Sequence, residues 1–193
     1  MGGGEGRMDE GAASYRRYLE GNDEALVEII RDYKDGLILF LNRYVNNVFV
    51  AEELAEDTFV RLFTKRPRFR PDASFKTWLY VIGRNVAISY LRRAKRFSPE
   101  SLEGRPKDLA DEDLLEQSYL REERKLRVHS ALSKVSAEYG RILFLKFFEE
   151  LSNEEIARVL GKTKRQVENQ LWQAKQAAKK ALEREGFGDE ELF

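Results

Sequence analysis

The sequence predicts an all-α protein: two helical domains joined by a flexible acidic linker. Three observations carry that expectation. Apolar residues recur by threes and fours along several segments, no stretch alternates with a period of two or offers a hairpin turn, and one acidic stretch holding Pro99, Gly104 and Pro106 reads as a connection. The domain boundaries follow as a disordered N-terminus over 1–13, a first domain over 14–96, the linker over 97–118, a second domain over 119–185 and an acidic tail over 186–193.

The first strong helical pattern runs through Leu26, Ile29, Ile30, Tyr33, Leu37, Phe40, Leu41, Tyr44, Val45 and Val48. Asn22 is its expected N-cap, Asp23 and Glu24 complement the helix dipole, Gly36 is read as a point that loosens or divides the helix, and Asn46-Asn47 marks its end. A second helix is expected from about Ala51 to Lys65, with Leu54, Phe59, Leu62 and Phe63 inward and a continuous acidic face of Glu52, Glu53, Glu56 and Asp57 outward. Pro67 and Pro71 bracket a loop, KRPRFRPDAS. A long helix then runs from about Phe75 to Arg96, with Phe75, Leu79, Ile82 and Val86 on one stripe.

Beyond the linker, Leu120 to Leu132 reads as a charged helix and Ala137 to Glu149 as a very apolar one. LSNEEIARVLG then offers Ser152 and Glu155 as a capping box, Ile156, Val159 and Leu160 as the inward face, and Gly161 as the stop. Thr163 and Gln166 form a second box, opening a helix that buries Val167, Leu171, Ala174, Ala178 and Leu182. Two capped helices joined by a short Gly-containing turn make a helix-turn-helix. A helical hairpin with another purpose would show the same caps; the basic second helix favours DNA.

Composition removes most enzyme chemistry. There is no cysteine and one histidine, His129, so disulfides, thiol nucleophiles and Cys/His metal sites are excluded. No Ser/His/Asp arrangement and no acidic cluster of metal-site spacing stands out, and neither catalysis, a metal nor a cofactor is expected. No segment is long and apolar enough for a membrane span, and MGGGEGRMDEG carries no signal-peptide core, so the expected location is cytoplasmic.

The formal net charge of zero hides a segregation. Glu20 to Asp57 holds ten acids against three bases, Arg61 to Arg96 eleven bases against Asp72, Phe97 to Ser118 seven acids against two bases, and Lys162 to Arg184 seven bases against two acids. Any one run reads as a solvated helix face; runs that coincide with motifs say more. The second basic block presents Lys164, Arg165, Glu168, Asn169, Trp172, Gln173 and Lys175, a mixture suited to base edges and phosphates of duplex DNA. The first interleaves Phe69, Phe75, Trp78, Tyr80 and Tyr90 with its cations, as unpaired strands require. Phe75 is assigned to the core, and Phe69 and Asn85 are the sharper candidates for strand contact.

The runs AEELAEDTFVRLF, FKTWLYVIGRNVAISYLRRAKR and LSNEEIARVLGKTKRQVENQLWQAK resemble, in order and spacing, the bacterial sigma-70 family, and the short connection points to its extracytoplasmic-function (ECF) group. The resemblance implies a sigma-2 and a sigma-4 domain that bind core RNA polymerase and direct initiation at promoters. It implies polymerase contact through Glu52, Glu53, Glu56 and Asp57 against the clamp helices of the largest subunit, with the sigma-4 domain on the flap of the second-largest. It assigns minus-ten capture to Arg66, Arg68, Phe69, Arg70, Lys76, Thr77, Trp78, Arg84, Asn85, Arg92 and Arg93. Minus-thirty-five reading falls to Thr163, Lys164, Arg165, Gln166, Glu168, Asn169, Trp172 and Lys175. Two features depart from the family pattern: Glu56 stands where glutamine is more common, and Glu168, Gln170 and Gln173 stand where basic residues are typical; Trp78-Leu79 stands where housekeeping members have two adjacent tryptophans. Weaker melting and flatter salt dependence are the consequences expected. An anti-sigma factor is the expected regulator. The alternatives are a sigma mimic that sequesters an anti-sigma factor, and a stand-alone helix-turn-helix regulator.

Overall fold

The structure is a computed structural model and describes residues 9–69, 73–97 and 134–183, all of whose regular elements are helices. Four helices form the first module: α1 (Glu10–Leu19), α2 (Glu24–Val45), α3 (Val48–Lys65) and α4 (Phe75–Phe97). Three form the second: α5 (Ala137–Phe147), α6 (Asn153–Leu160) and α7 (Lys164–Glu183). The linker, the charged helix expected over Leu120 to Leu132, His129, Arg70 and the acidic tail lie outside the described residues.

α1 is an addition to the sequence reading, which placed 1–13 in a disordered terminus. Its buried face is Gly11, Ser14, Tyr15 and Tyr18, too small and too hydroxylated to register as an apolar stripe. The Asp9 carboxylate accepts the Ala12 N–H at 3.1 Å and so caps the helix four residues ahead of that boundary. Its other oxygen accepts the Phe75 N–H at 2.6 Å, so one side chain serves the starts of α1 and α4.

α2 departs from expectation in its middle. It is unbroken through Gly36, and the reason for glycine there is contact rather than flexibility. A Cβ at that position would stand 2.6 Å from Glu149 Oε1 of the second module and 2.7 Å from the Tyr80 hydroxyl of α4. At its start Asn22 accepts the Glu24 N–H at 3.0 Å, and Asp23, the cap position itself, makes no side-chain cap bond. Its end matches expectation: Asn46 turns left-handed at φ 49° and the Asn47 side chain caps α3 through the Val50 N–H.

The expected inward faces are buried. Leu54, Phe59 and Leu62 of α3, Phe75, Leu79 and Val86 of α4, and Val167, Leu171, Ala174, Ala178 and Leu182 of α7 are all core; Ile82 and Phe63 are half-buried. Both capping boxes of the helix-turn-helix close. Ser152 Oγ accepts the Glu155 N–H while Glu155 accepts the Ser152 N–H, and Thr163 and Gln166 exchange the equivalent pair at 2.8 and 3.2 Å. Gly161 ends α6 at φ 65°.

The two modules touch. α2 packs on α5 and α4 on α6, and the buried apolar residues of both form one cluster. Arg141 of α5 donates to the Arg43 carbonyl at 3.0 Å and lies 4.4 Å over the Tyr44 ring, a cation placed at the C-terminal end of α2, where the helix dipole favours it.

Candidate nucleic-acid and polymerase interfaces

The acidic face of α3 is built as the spacing predicts. Glu53, Glu56 and Asp57 are exposed and Glu52 is half-buried. Two residues that the sequence reading passed over extend it: Phe49 and Val60, 58% and 55% exposed, stand four residues before Glu53 and four after Glu56 on the same face. Large apolar side chains in an otherwise acidic helical stripe are a signal that charge counting discards. Beside them a groove of about 440 Å³ is lined by Glu53, Leu54, Glu56, Asp57, Val60, Tyr90 and Arg93, and so joins this face to the basic end of α4.

The minus-ten candidates divide into two groups. Trp78, Ile82, Asn85, Ser89 and Arg92 follow one another by fours and threes and share one face of α4. Asn85, Arg92 and Arg93 are exposed there, and Arg66 and Arg68 are exposed on the preceding loop. Arg66, left-handed at φ 41°, is held by the Tyr18 hydroxyl, to which its Nε donates at 3.2 Å while its guanidinium lies 5.0 Å over the ring. Phe69 and Trp78 are half-buried with ring centres 5.2 Å apart; Trp78 meets Tyr15 of α1 edge-on at 5.3 Å, and Phe69 meets Phe75 at 6.0 Å. Leu79 is fully buried.

The second group faces the other module. Lys76 pairs with Glu149 at 3.1 Å, and the Glu149 side chain is 3% exposed. Thr77 is 1% exposed; its hydroxyl donates to Glu155 Oε1 at 3.0 Å, and the Ser74 hydroxyl donates to the same oxygen at 2.7 Å. Glu155 therefore closes its own helix with Oε2 and reaches the start of α4 with Oε1. Burial works to raise the Glu155 carboxyl, but hydrogen bonds from the Ser152 backbone and from the Ser74, Ser152 and Thr77 hydroxyls outweigh it and hold the group below the ordinary carboxylate value. Arg84 hydrogen-bonds the Tyr44 hydroxyl and lies against Gly161, the turn of the helix-turn-helix.

On α7, Lys164, Arg165, Gln166, Glu168, Asn169 and Trp172 are exposed, as is Thr163 at its cap, and Trp172 is 66% exposed. Lys175 is half-buried with its ammonium 5.3 Å over Phe147. Lys164 is paired with Glu154, which raises the ammonium and lowers the carboxyl, each chiefly through the hydrogen bond between them. Gln170 and Gln173 of α7 are tied to α5. Gln170 donates to Glu138 at 3.0 Å beside the Lys162–Glu138 pair at 2.5 Å, and Gln173 accepts from the Tyr139 hydroxyl at 3.1 Å. They brace α7, and Glu168 is exposed near Lys164, whose ammonium it helps to raise.

Known proteins resemble this chain in sequence and in fold. The model of Sigma-70 region 2 matches residues 29–97, and that of Sigma-70, region 4, matches residues 125–177. The chain is 29% identical over 162 residues to the RNA polymerase sigma factor YlaC of Bacillus subtilis (strain 168), covering 82% of this chain and 92% of the relative. It is 27% identical over 175 residues to the ECF RNA polymerase sigma factor SigW of the same organism, covering 86% and 94%. Two solved structures share the fold. CnrH, in complex with the cytosolic domain of CnrY, matches with a TM-score of 0.60 at 22% identity over 91% of this chain and 96% of that one. The sigma factor RpoE, in complex with the anti-sigma factor NepR from Bartonella quintana, matches with a TM-score of 0.59 at 21% identity over 81% and 95%.

Proposed function

The chain belongs to the bacterial sigma-70 family of RNA polymerase sigma factors, within the ECF group, and from that premise we propose how its surfaces divide the work of initiation. The α3 strip of Phe49, Glu53, Glu56, Asp57 and Val60 seats core polymerase: the acids give charge complementarity to a basic partner, and the two apolar side chains give it buried area. α7 enters the major groove of the minus-thirty-five duplex, with Lys164 and Arg165 on phosphates and Asn169 and Trp172 towards base edges. Asn85 and the Arg66 to Phe69 loop take an extruded base of the minus-ten strand, and Arg92 and Arg93 hold its backbone. Each captured base offsets a few kcal/mol of unstacking, so opening needs no hydrolysis.

The observation that carries this reading is the pair of exposed cationic faces on separate modules, one interleaved with aromatics and one mixed with amides. The protein acts without catalysis of its own and works in the cytoplasm; no helix among the described residues is long and apolar enough to cross a membrane. An anti-sigma factor regulates it, by analogy with the NepR complex of the fold relative RpoE. A mimic that only sequesters such a factor would have no use for the exposed Asn85, Arg92 and Arg93.

The test is run-off transcription from fragmented bacterial DNA with core polymerase, followed by sequencing of transcript starts. New starts sharing two upstream motifs at fixed spacing are expected, and Arg92→Glu with Arg93→Glu should abolish them while core binding persists. Starts that survive both charge reversals would sink the minus-ten assignment.

A further inference from the structure

The outer face of α7 carries an acid where a helix lying against DNA gains most from cations. Arg165, Glu168, Asn169 and Trp172 are exposed, and their spacing by threes and fours puts them on one side of the helix, away from the core face of Val167, Leu171 and Ala174. Their polar neighbours are engaged within the protein: Lys162 and Gln170 with Glu138, Gln173 with Tyr139, and Lys164 with Glu154. Among the described residues, no hydrogen bond or salt bridge occupies the side chain of Glu168 or Asn169. The Lys164 ammonium is raised chiefly by its hydrogen bond to Glu154, and the charge of Glu168 adds to it.

A carboxylate on this face has few places to go in a duplex. It only accepts, so phosphates repel it, and so do O6 and N7 of guanine and O4 of thymine. Two donors remain in the major groove, the exocyclic amines of cytosine and adenine. Adenine sets its N7 acceptor beside the amine, where it repels the second carboxylate oxygen, whereas the cytosine edge offers the N4 amine and no acceptor. The negative charge also weakens phosphate attraction at every site, cognate or not, so what it contributes is discrimination.

We propose that Glu168 is a specificity-determining residue of α7: its carboxylate accepts from the N4 amine of one cytosine in the minus-thirty-five element and rejects the other three bases there. The inference rests on the minus-thirty-five reading above and deepens it by naming a base. A role confined to supporting Lys164 would leave base preference untouched, and that difference is what the experiment reads.

The experiment uses the full chain with core polymerase and a pool of duplex promoters in which the minus-thirty-five element, located from the run-off starts, is randomised. Templates that yield transcript are sequenced. The parent should enrich cytosine at one position of the element by about tenfold over each other base, the size of a single lost base contact. Glu168→Gln, whose amide suits the N6 and N7 of adenine, should move the preference at that position from cytosine to adenine, and Glu168→Ala should flatten it. Every other position, and the minus-ten motif, should keep its preference in both variants.

The parent alone already tests the assignment, whatever the variants do: an element in which no position demands cytosine overturns it. A cytosine demand that survives Glu168→Ala overturns it as well, and leaves Glu168 the partner of Lys164. In both cases the promoter reading stands, because a selected element has been found. A parent that starts no transcripts overturns the minus-thirty-five reading and the base assignment built on it.

Discussion

At the scale of single residues, hydroxyls and carboxylates do much of the joining. Tyr15 donates to the Pro67 carbonyl at 2.8 Å and Tyr18 to the Phe63 carbonyl at 2.7 Å, so α1 holds the end of α3 and the start of the Arg66 to Phe69 loop. Burial, then the neighbouring Tyr18, pushes the Tyr15 phenol up to about 12, with Arg66 opposing. Burial, then the carboxylates of Asp9, Asp32, Glu10 and Glu149, pushes Tyr33 up to about 12 as well. A phenol whose folded pKa exceeds its unfolded value of 10.0 stabilises the fold fully below pH 10, and that contribution is lost as pH rises through 12. Tyrosinate absorbance during an alkaline titration should therefore show at least two of the eight tyrosines ionising late, with stability falling across the same window. Tyr15→Phe and Tyr33→Phe should each remove one late phase; a late phase undiminished in both variants would show that other tyrosines cause it.

At the scale of elements, what the sequence made legible and what it hid have the same physical origin. Local signals act within one turn, so Ser152/Glu155, Thr163/Gln166, Gly161 and Asn46-Asn47 could be read as caps and stops and stand as such in the fold. α1 was hidden because its buried face is glycine, serine and tyrosine, which a count of aliphatic spacing does not weigh. Phe49 and Val60 were hidden because a search for an acidic face passes over the apolar residues within it. Gly36 read as a break because local propensity disfavours glycine in a helix by roughly 1 kcal/mol, while the contact that requires it comes from Glu149, far along the chain. The cap at α6 gives the prediction proper to this scale. Ser152→Ala leaves the Glu155 N–H without its side-chain acceptor and should cost about 1 kcal/mol. For a chain of this size that lowers the melting temperature by about 2–4 °C. Thermal denaturation followed by far-ultraviolet circular dichroism checks it, and an unchanged midpoint would mean that the Ser152 hydroxyl adds nothing net to the cap that the residue-152 N–H, Ser74 and Thr77 already hold through the Glu155 carboxylate.

At the scale of the molecule, the arrangement of the modules depends on contacts between residues distant in sequence, which no periodicity encodes: Lys76 with Glu149, Ser74 and Thr77 with Glu155, and Arg141 with the end of α2. Gly36 is where this long-range requirement conflicts with a local one. Substitution by alanine improves the propensity of α2 by roughly 1 kcal/mol, and the new methyl points at Glu149 Oε1 and the Tyr80 hydroxyl at distances that real carbons do not tolerate. Tyr80 is fully buried and Glu149 nearly so, and neither can swing into solvent while the modules stay docked. Moving the second module away relieves the contact with Glu149 and leaves α2 intact, while the Tyr80 hydroxyl, on α4 of the same module as α2, has to shift within the core. Gly36→Ala in the full chain should therefore keep or raise helicity, increase the radius of gyration in small-angle scattering and expose Lys76. A protein that stays as small as the parent would show that the interface yields locally around the methyl; one that loses helicity would show that α2 depends on the second module for its own stability.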